Sequence, residues 1–320
     1  MGEDYGQEEL VTEEMLWDRI PEVQGEERAN TFYELSARIF ARGQYDEALA
    51  LAETARDIFS ELGTAAQSEG LAQAYSAIGY NLNQLKRMDE AATAMSQAVS
   101  ILRENKSPIA LELACTLGEW WYASKNYEKV IETMYECSQE HLVDGNTIGA
   151  ANDMHLIGCA QRELKNFSEA IICFQEARKM FKMEKEVIHI ARCDQKIASC
   201  YNELGDGEKA IDAARKAIDV FETAHDHDRE TFALFEFGKA EILLGKLEDG
   251  LSTLDGVLLI IAEDEPKDFD FILDIETRMV SVMRQLGRME EADEVERRLK
   301  SVREALADEP ALDADVTLND

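Results

Sequence analysis

Proline is nearly missing from this 320-residue chain: only Pro21, Pro108, Pro266 and Pro310 occur. With so few residues that forbid a helix interior, and no valine-rich or isoleucine-rich alternating stretch that reads as strand, an all-α protein is expected. No apolar run approaches the ~18 residues of a membrane span, and the chain opens Met1-Gly2-Glu3-Asp4 rather than on a basic segment with an apolar core. No membrane partner is expected. Basic residues are outnumbered, 33 Lys and Arg against 66 Asp and Glu, for a formal net charge of -33. Phosphate contacts need a basic stripe, so the composition argues against direct nucleic-acid binding. The cysteines are Cys115, Cys137, Cys159, Cys173, Cys193 and Cys200, none in a C-x-x-C pair. They read as reduced, small core residues of a cytoplasmic protein rather than as disulfides or metal ligands.

The same scarcity marks chemistry. There is no Gly-rich phosphate loop, and Gly205-Asp206-Gly207 reads as a turn between helices. His225-Asp226-His227-Asp228 falls at a junction between repeats, where a polar loop is the simpler reading than a metal site. No catalytic residue, cofactor or metal is therefore expected, and the chain does not read as an enzyme.

What the chain has instead is a word repeated seven times, a small residue followed twelve positions later by another. The second small position falls at Ala48, Ala91, Val130, Ala170, Ala210, Gly250 and Ala292, with spacings of 43, 39, 40, 40, 40 and 42 residues. The first falls at Ser36, Gly79, Gly118, Gly158, Ala198, Gly238 and Val280. In the second copy Tyr75, Ile78, Gly79 and Leu82 recur at helical spacing, then Ala91, Met95 and Ala98 follow a polar turn. Two amphipathic helices per copy follow from that pattern, with the small residues where a larger side chain would hold the backbones apart. The turn itself repeats, as Gly43-Gln44-Tyr45-Asp46-Glu47-Ala48, Lys165-Asn166-Phe167-Ser168-Glu169-Ala170 and Gly287-Arg288-Met289-Glu290-Glu291-Ala292.

The spacing resembles that of the tetratricopeptide repeat family, W-x2-L-G-x2-Y, then A-x3-F, then P, although the closing proline is missing from almost every copy. At about 40 residues the units are longer than the ~34-residue standard and are similar to those of quorum-sensing peptide receptors and of some adaptor scaffolds. The resemblance implies a right-handed superhelical solenoid of about seven antiparallel helix pairs over 29–303. An acidic N-terminal segment, 1–28, is expected to carry a capping helix around Glu8 to Ile20, with Leu10, Met15, Leu16 and Ile20 as its apolar face. An acidic, disordered tail is expected over 304–320. Copy seven places Glu276 and Glu296 where core residues belong, so its outer helix is expected to face water.

In this family the first helix of each pair lines the concave surface. Taking the first small residue as origin, positions six and three before it, and one and four after it, share one helix face. The middle of the chain then offers Tyr80, Asn83, Tyr122, Asn152, His155, Arg162, Arg192, Gln195, Asn202 and Lys239. Asparagine amides pair with both donor and acceptor of an extended backbone, and arginine forks match carboxylates. The partner expected is a protein or peptide segment in the concave groove of a scaffold or adaptor. A peptide-sensing regulator without a DNA-binding head is one alternative. A second is an inhibitor whose acidic exterior occupies a basic-surfaced host protein. The lysine and asparagine pair with which some members grip chaperone C-termini occurs in no copy.

Overall fold

The structure is a computed structural model that describes residues 12–62, 69–261 and 269–308. These form fifteen helices and no strand. A short α1 (Glu13–Arg19) precedes seven successive pairs. They are α2 (Gly25–Ala41) with α3 (Tyr45–Glu61), α4 (Glu69–Gln84) with α5 (Met88–Glu104), and α6 (Ala110–Ala123) with α7 (Tyr127–Val143). Next come α8 (Thr147–Glu163) with α9 (Phe167–Glu184), and α10 (Val187–Glu203) with α11 (Gly207–Ala224). The last are α12 (His227–Leu243) with α13 (Leu247–Ile261), and α14 (Phe269–Gln285) with α15 (Met289–Asp308).

The all-α, tetratricopeptide-like reading therefore holds, and the turns show why each helix stops where it does. Within every pair one residue takes the left-handed conformation: Gly43, Lys86, Lys125, Lys165, Gly205, Gly245 and Gly287. That residue lets the chain reverse while its amide caps the preceding helix, as Gly43 N–H does to the Phe40 carbonyl at 2.8 Å and Lys86 N–H to the Asn83 carbonyl at 3.0 Å. Where pairs join, left-handed residues recur at Lys106, Gly145, Lys185 and His225, and polar side chains add caps. The Asn146 side chain accepts from Gly149 N–H at 2.9 Å, and Asp226 from Arg229 N–H at 3.3 Å. Asp226 also pairs with Arg229 at 2.5 Å, and His225 is left-handed, so the His225 to Asp228 run is a junction between α11 and α12.

Within each unit the small residues twelve apart face one another. Ser36 Oγ donates to the Ala48 carbonyl at 2.7 Å, and a Cβ on Gly79 would stand 3.2 Å from the Ala91 carbonyl oxygen. Larger apolar side chains fill the space between, with Phe59, Phe174, Phe181 and Phe221 among the largest fully buried.

The chain divides into two compact units, residues 1–164 and 165–320, at the turn between α8 and α9. Within each unit helices pack mainly on their chain neighbours, as expected where each repeat touches only the next. In the first unit α1 covers the end of the first pair: Leu16 is fully buried against Leu35, Ile39, Ala48 and Leu51, with Ile20 partly buried beside them. Met15 does not join that apolar face as expected, because the turn of α1 points it outward, 47% exposed. Glu8 and Leu10 lie outside the described residues. In the second unit α15 continues past Glu304 to Asp308, so the start of the expected tail is helical, and 309–320 lie outside the described residues. Glu276 is buried and its charge is met by Arg298 of α15, whereas Glu296 is exposed and pairs with Arg284 at 2.6 Å.

Candidate functional site

In the second unit the first helices of three successive pairs enclose a cleft of about 260 Å³. Asn202 and Glu203 come from α10, Lys239, Ile242 and Leu243 from α12, and Arg278, Ser281, Val282 and Gln285 from α14. No second helix contributes to it. Ile242, Leu243 and Val282 supply apolar surface, while amide, hydroxyl and charged groups of both signs surround it.

The charged groups are held by one another. Lys239 Nζ stands 3.0 Å from Glu236 Oε2 and 3.4 Å from Glu203 Oε1. It also lies 5.2 Å from the centroid of the Phe235 ring, which the Arg278 guanidinium shares at 5.6 Å. Cation and ring attract electrostatically, so both cations are steadied by one aromatic ring. Asn202 Nδ2 donates to the Glu236 carbonyl at 2.8 Å and to Glu236 Oε2 at 2.6 Å, which ties α10 to α12. Its Oδ1 is buried without a hydrogen-bond partner among the described residues. The structure thus makes Asn202 part of the cleft wall.

In the first unit six of the sequence-derived positions lie on α4, α6 and α8. Tyr80, on α4, packs edge-on against Trp120 of α6, ring centroids 5.3 Å apart at 89°. Burial and the nearby Glu112 carboxylate raise the Tyr80 phenol above its ordinary range, partly offset by its hydrogen bond with Thr116. Asn83 is half-buried, and Asn152 is exposed. Tyr122 packs against Tyr127, centroids 5.5 Å apart. Burial foremost, and then the Cys159 and Glu163 charges, raise the Tyr122 phenol well above its usual range against the opposing pull of Arg162. Arg162 donates to Glu163 Oε1 at 2.8 Å, and His155 Nδ1 lies 3.8 Å from Cys159 Sγ. Tyr122, Cys159 and Arg162 are thus brought close enough to act on one another electrically. In the second unit Arg192 and Gln195 are half-buried on α10 and do not line the cleft.

A tetratricopeptide repeat family model matches residues 72–105, 154–180 and 195–223. These are tetratricopeptide-type repeats. Among solved structures the chain is similar to a signal transduction ATPase with numerous domains from Pyrococcus horikoshii that has a tetratricopeptide repeat sensor. The identity is 17% and the TM-score 0.63, over 92% of this chain and 45% of that one. The chain therefore spans less than half the length of that ATPase. It is also similar to the apo form of RapI, at 14% identity and TM-score 0.56, over 87% of this chain and 98% of the other. At such identities the likeness is one of fold. No curated protein sequence matches the chain.

The tetratricopeptide register finds part of the cleft and misses the rest. Asn202 and Lys239 are common to both. Glu203, Arg278, Ser281 and Gln285 come only from the structure, yet Ser281 stands one after Val280 as Lys239 stands one after Gly238. Extending the register from the middle copies to the seventh exposes that equivalence. Of Glu203, Arg278 and Gln285 the register gives no sign, since they flank the inward positions and enter the cleft through side-chain reach.

Proposed function

We propose that this chain is a non-enzymatic protein-binding scaffold that holds an extended peptide segment of a partner on the face formed by its first helices. The supporting observation is the cleft among α10, α12 and α14, built from first helices alone and combining apolar surface with amide, hydroxyl and charged groups. An extended segment exposes both backbone donors and acceptors, together with alternating side chains. A surface that offers acceptors at Glu203, donors at Arg278 and Gln285, and apolar contact at Ile242 and Val282 meets each of those needs. An adaptor and a peptide-sensing regulator would share this face and differ in what binding does next.

The test uses peptides selected on the intact protein from a random display library, with affinities measured by calorimetry. Arg278→Ala and Gln285→Ala should each weaken binding by about 1–3 kcal/mol, the cost of leaving a peptide or charged group unpaired in a dry contact. Asp212→Asn and Asp219→Asn, on exposed positions of α11, should leave the affinity unchanged. Full affinity in both cleft variants, with loss in the α11 variants, would place binding on the acidic exterior.

A further inference from the structure

The seams between successive pairs carry one repeated contact, and one seam breaks the pattern. Eleven positions after the second small residue the copies read Phe59, Leu102, His141, Phe181, Phe221 and Ile261. Five before the next first small residue, facing them, they read Ala74, Leu113, Asp153, Cys193, Ala233 and Ile275. At this one contact every seam but one therefore joins residues without formal charge, and Phe59 with Ala74, Phe221 with Ala233, and Ile261 with Ile275 share apolar clusters. At the seam of α7 and α8 an imidazole and a carboxylate replace them, His141 Nδ1 lying 2.6 Å from Asp153 Oδ2. Both are mostly removed from solvent, with side chains 14% and 5% exposed. Burying such a pair where an apolar contact would serve is unfavourable unless the groups have a further use.

Two thiols stand beside them. Cys115 of α6 has its sulfur close enough that a donor atom of Cys115, His141 and Asp153 all lie within 4.8 Å of one another. Cys137, one turn before His141 on α7, is fully buried, at a position that is Ala55, Ala177 and Ala217 in other copies. Metal–sulfur bonds of ~2.3 Å and metal–nitrogen or metal–oxygen bonds of ~2.0 Å put tetrahedral donors roughly 3.3–3.8 Å apart. Side-chain rotations of about an ångström reach that geometry, parting the His141 and Asp153 donors from 2.6 Å and drawing the Cys115 sulfur in from no more than 4.8 Å. Gly149 packs against the His141 ring, where a Cβ would stand 2.8 Å from the imidazole carbons. Cys115 and His141 also line a surface cleft of about 480 Å³ with Glu112, Asp144 and Asn146, which gives an ion a route in.

We propose that Cys115, His141 and Asp153 form a binding site for one zinc-like divalent cation, with its fourth position left to water. A thiolate, an imidazole and a carboxylate are a borderline-soft donor set that suits zinc and cobalt and disfavours magnesium or calcium. Binding needs the Cys115 thiolate and displaces its proton to solvent, so uptake releases a proton and strengthens as pH rises.

Cobalt(II) is the probe, added to chelator-treated, reduced, full-length protein. The expected result is uptake of one equivalent, with the visible bands of tetrahedral cobalt and a near-ultraviolet thiolate-to-cobalt charge-transfer band. Cys115→Ser should remove most of the charge-transfer intensity. The double variant His141→Phe with Asp153→Ala rebuilds the contact found at Phe59 with Ala74, so it should fold, melt no lower than the apo parent, and show neither band. Zinc should raise the melting temperature of the parent and leave that of the double variant unchanged. Cobalt uptake without a charge-transfer band would mean surface carboxylates only and would overturn the proposal. Retention of both bands by the double variant would overturn it equally.

Discussion

Two glycines of α13 illustrate how little separates a required small residue from a dispensable one. A Cβ on Gly250 would stand 2.7 Å from Ile242 Cγ1 and 3.0 Å from the Gly238 carbonyl oxygen, and the carbonyl belongs to a helix backbone that cannot give way. A Cβ on Gly256 would meet nothing within 4 Å. Gly250→Ala should therefore lower stability by about 1–3 kcal/mol despite the better helix propensity of alanine. Gly256→Ala should raise it by about 0.4–1 kcal/mol, through lost freedom of the unfolded chain. Denaturant unfolding of both variants checks the pair, and equal effects would show that the close approach at Gly250 is relaxed. Gly250 was legible in the sequence because it keeps the twelve-residue spacing. The contact between Asn202 and Glu236 was not, because it joins residues 34 apart whose chemistry follows no repeat. The pairing of His141 with Asp153 lay between these cases, visible only when equivalent seam positions are set side by side.

At the scale of the element, the turns within pairs use two residue types for one conformation. Gly43, Gly205, Gly245 and Gly287 have φ 76°, while Lys86, Lys125 and Lys165 are held at φ 60°, 59° and 62°. A left-handed residue with a Cβ costs roughly 1–2 kcal/mol, and glycine avoids that cost. Lys125→Gly should thus stabilise the first unit by up to ~1 kcal/mol. Gly245→Lys, where a Cβ meets nothing within 4 Å, should destabilise the second by a similar amount through backbone strain alone. Thermal melts of the two variants should move in opposite directions. A lysine variant as stable as its parent would mean that helix packing tolerates another turn shape. Helix ends were legible because this turn repeats with its polar residues in order. The outward turn of Met15 was not, since a helix as short as α1 leaves several faces available and the packing of Leu16 and Ile20 selects among them.

Across the whole molecule the governing quantity is charge. With 66 Asp and Glu against 33 Lys and Arg, at least half of the carboxylates have no basic residue of their own to meet. Exposed pairs such as Arg87 with Glu90 and Arg288 with Glu291 contribute little each, since both members are solvated. Self-repulsion is the larger effect, and it is screened once the Debye length falls from ~30 Å near 0.01 M salt to ~3 Å near 1 M. The melting temperature should rise over that range in sodium chloride. A flat or falling curve would show that local ion pairs outweigh the net repulsion. The excess of acid was legible in composition; the division at residue 164 was not, since the turn there keeps the register and the left-handed residue of the turns in neighbouring pairs.

Packing between chain neighbours also governs how the protein forms. Within each unit a helix finds its main partner one helix further along, never at the far end of the sequence. Low contact order of this kind keeps loop-closure entropy small and places folding toward the microsecond to millisecond range. On a ribosome, α2 and α3 can close over α1 as soon as they emerge, and within a unit each new helix meets a finished surface rather than waiting for the rest of the chain. The interval in which apolar seams stand open to wrong partners is therefore set by the synthesis of a single repeat.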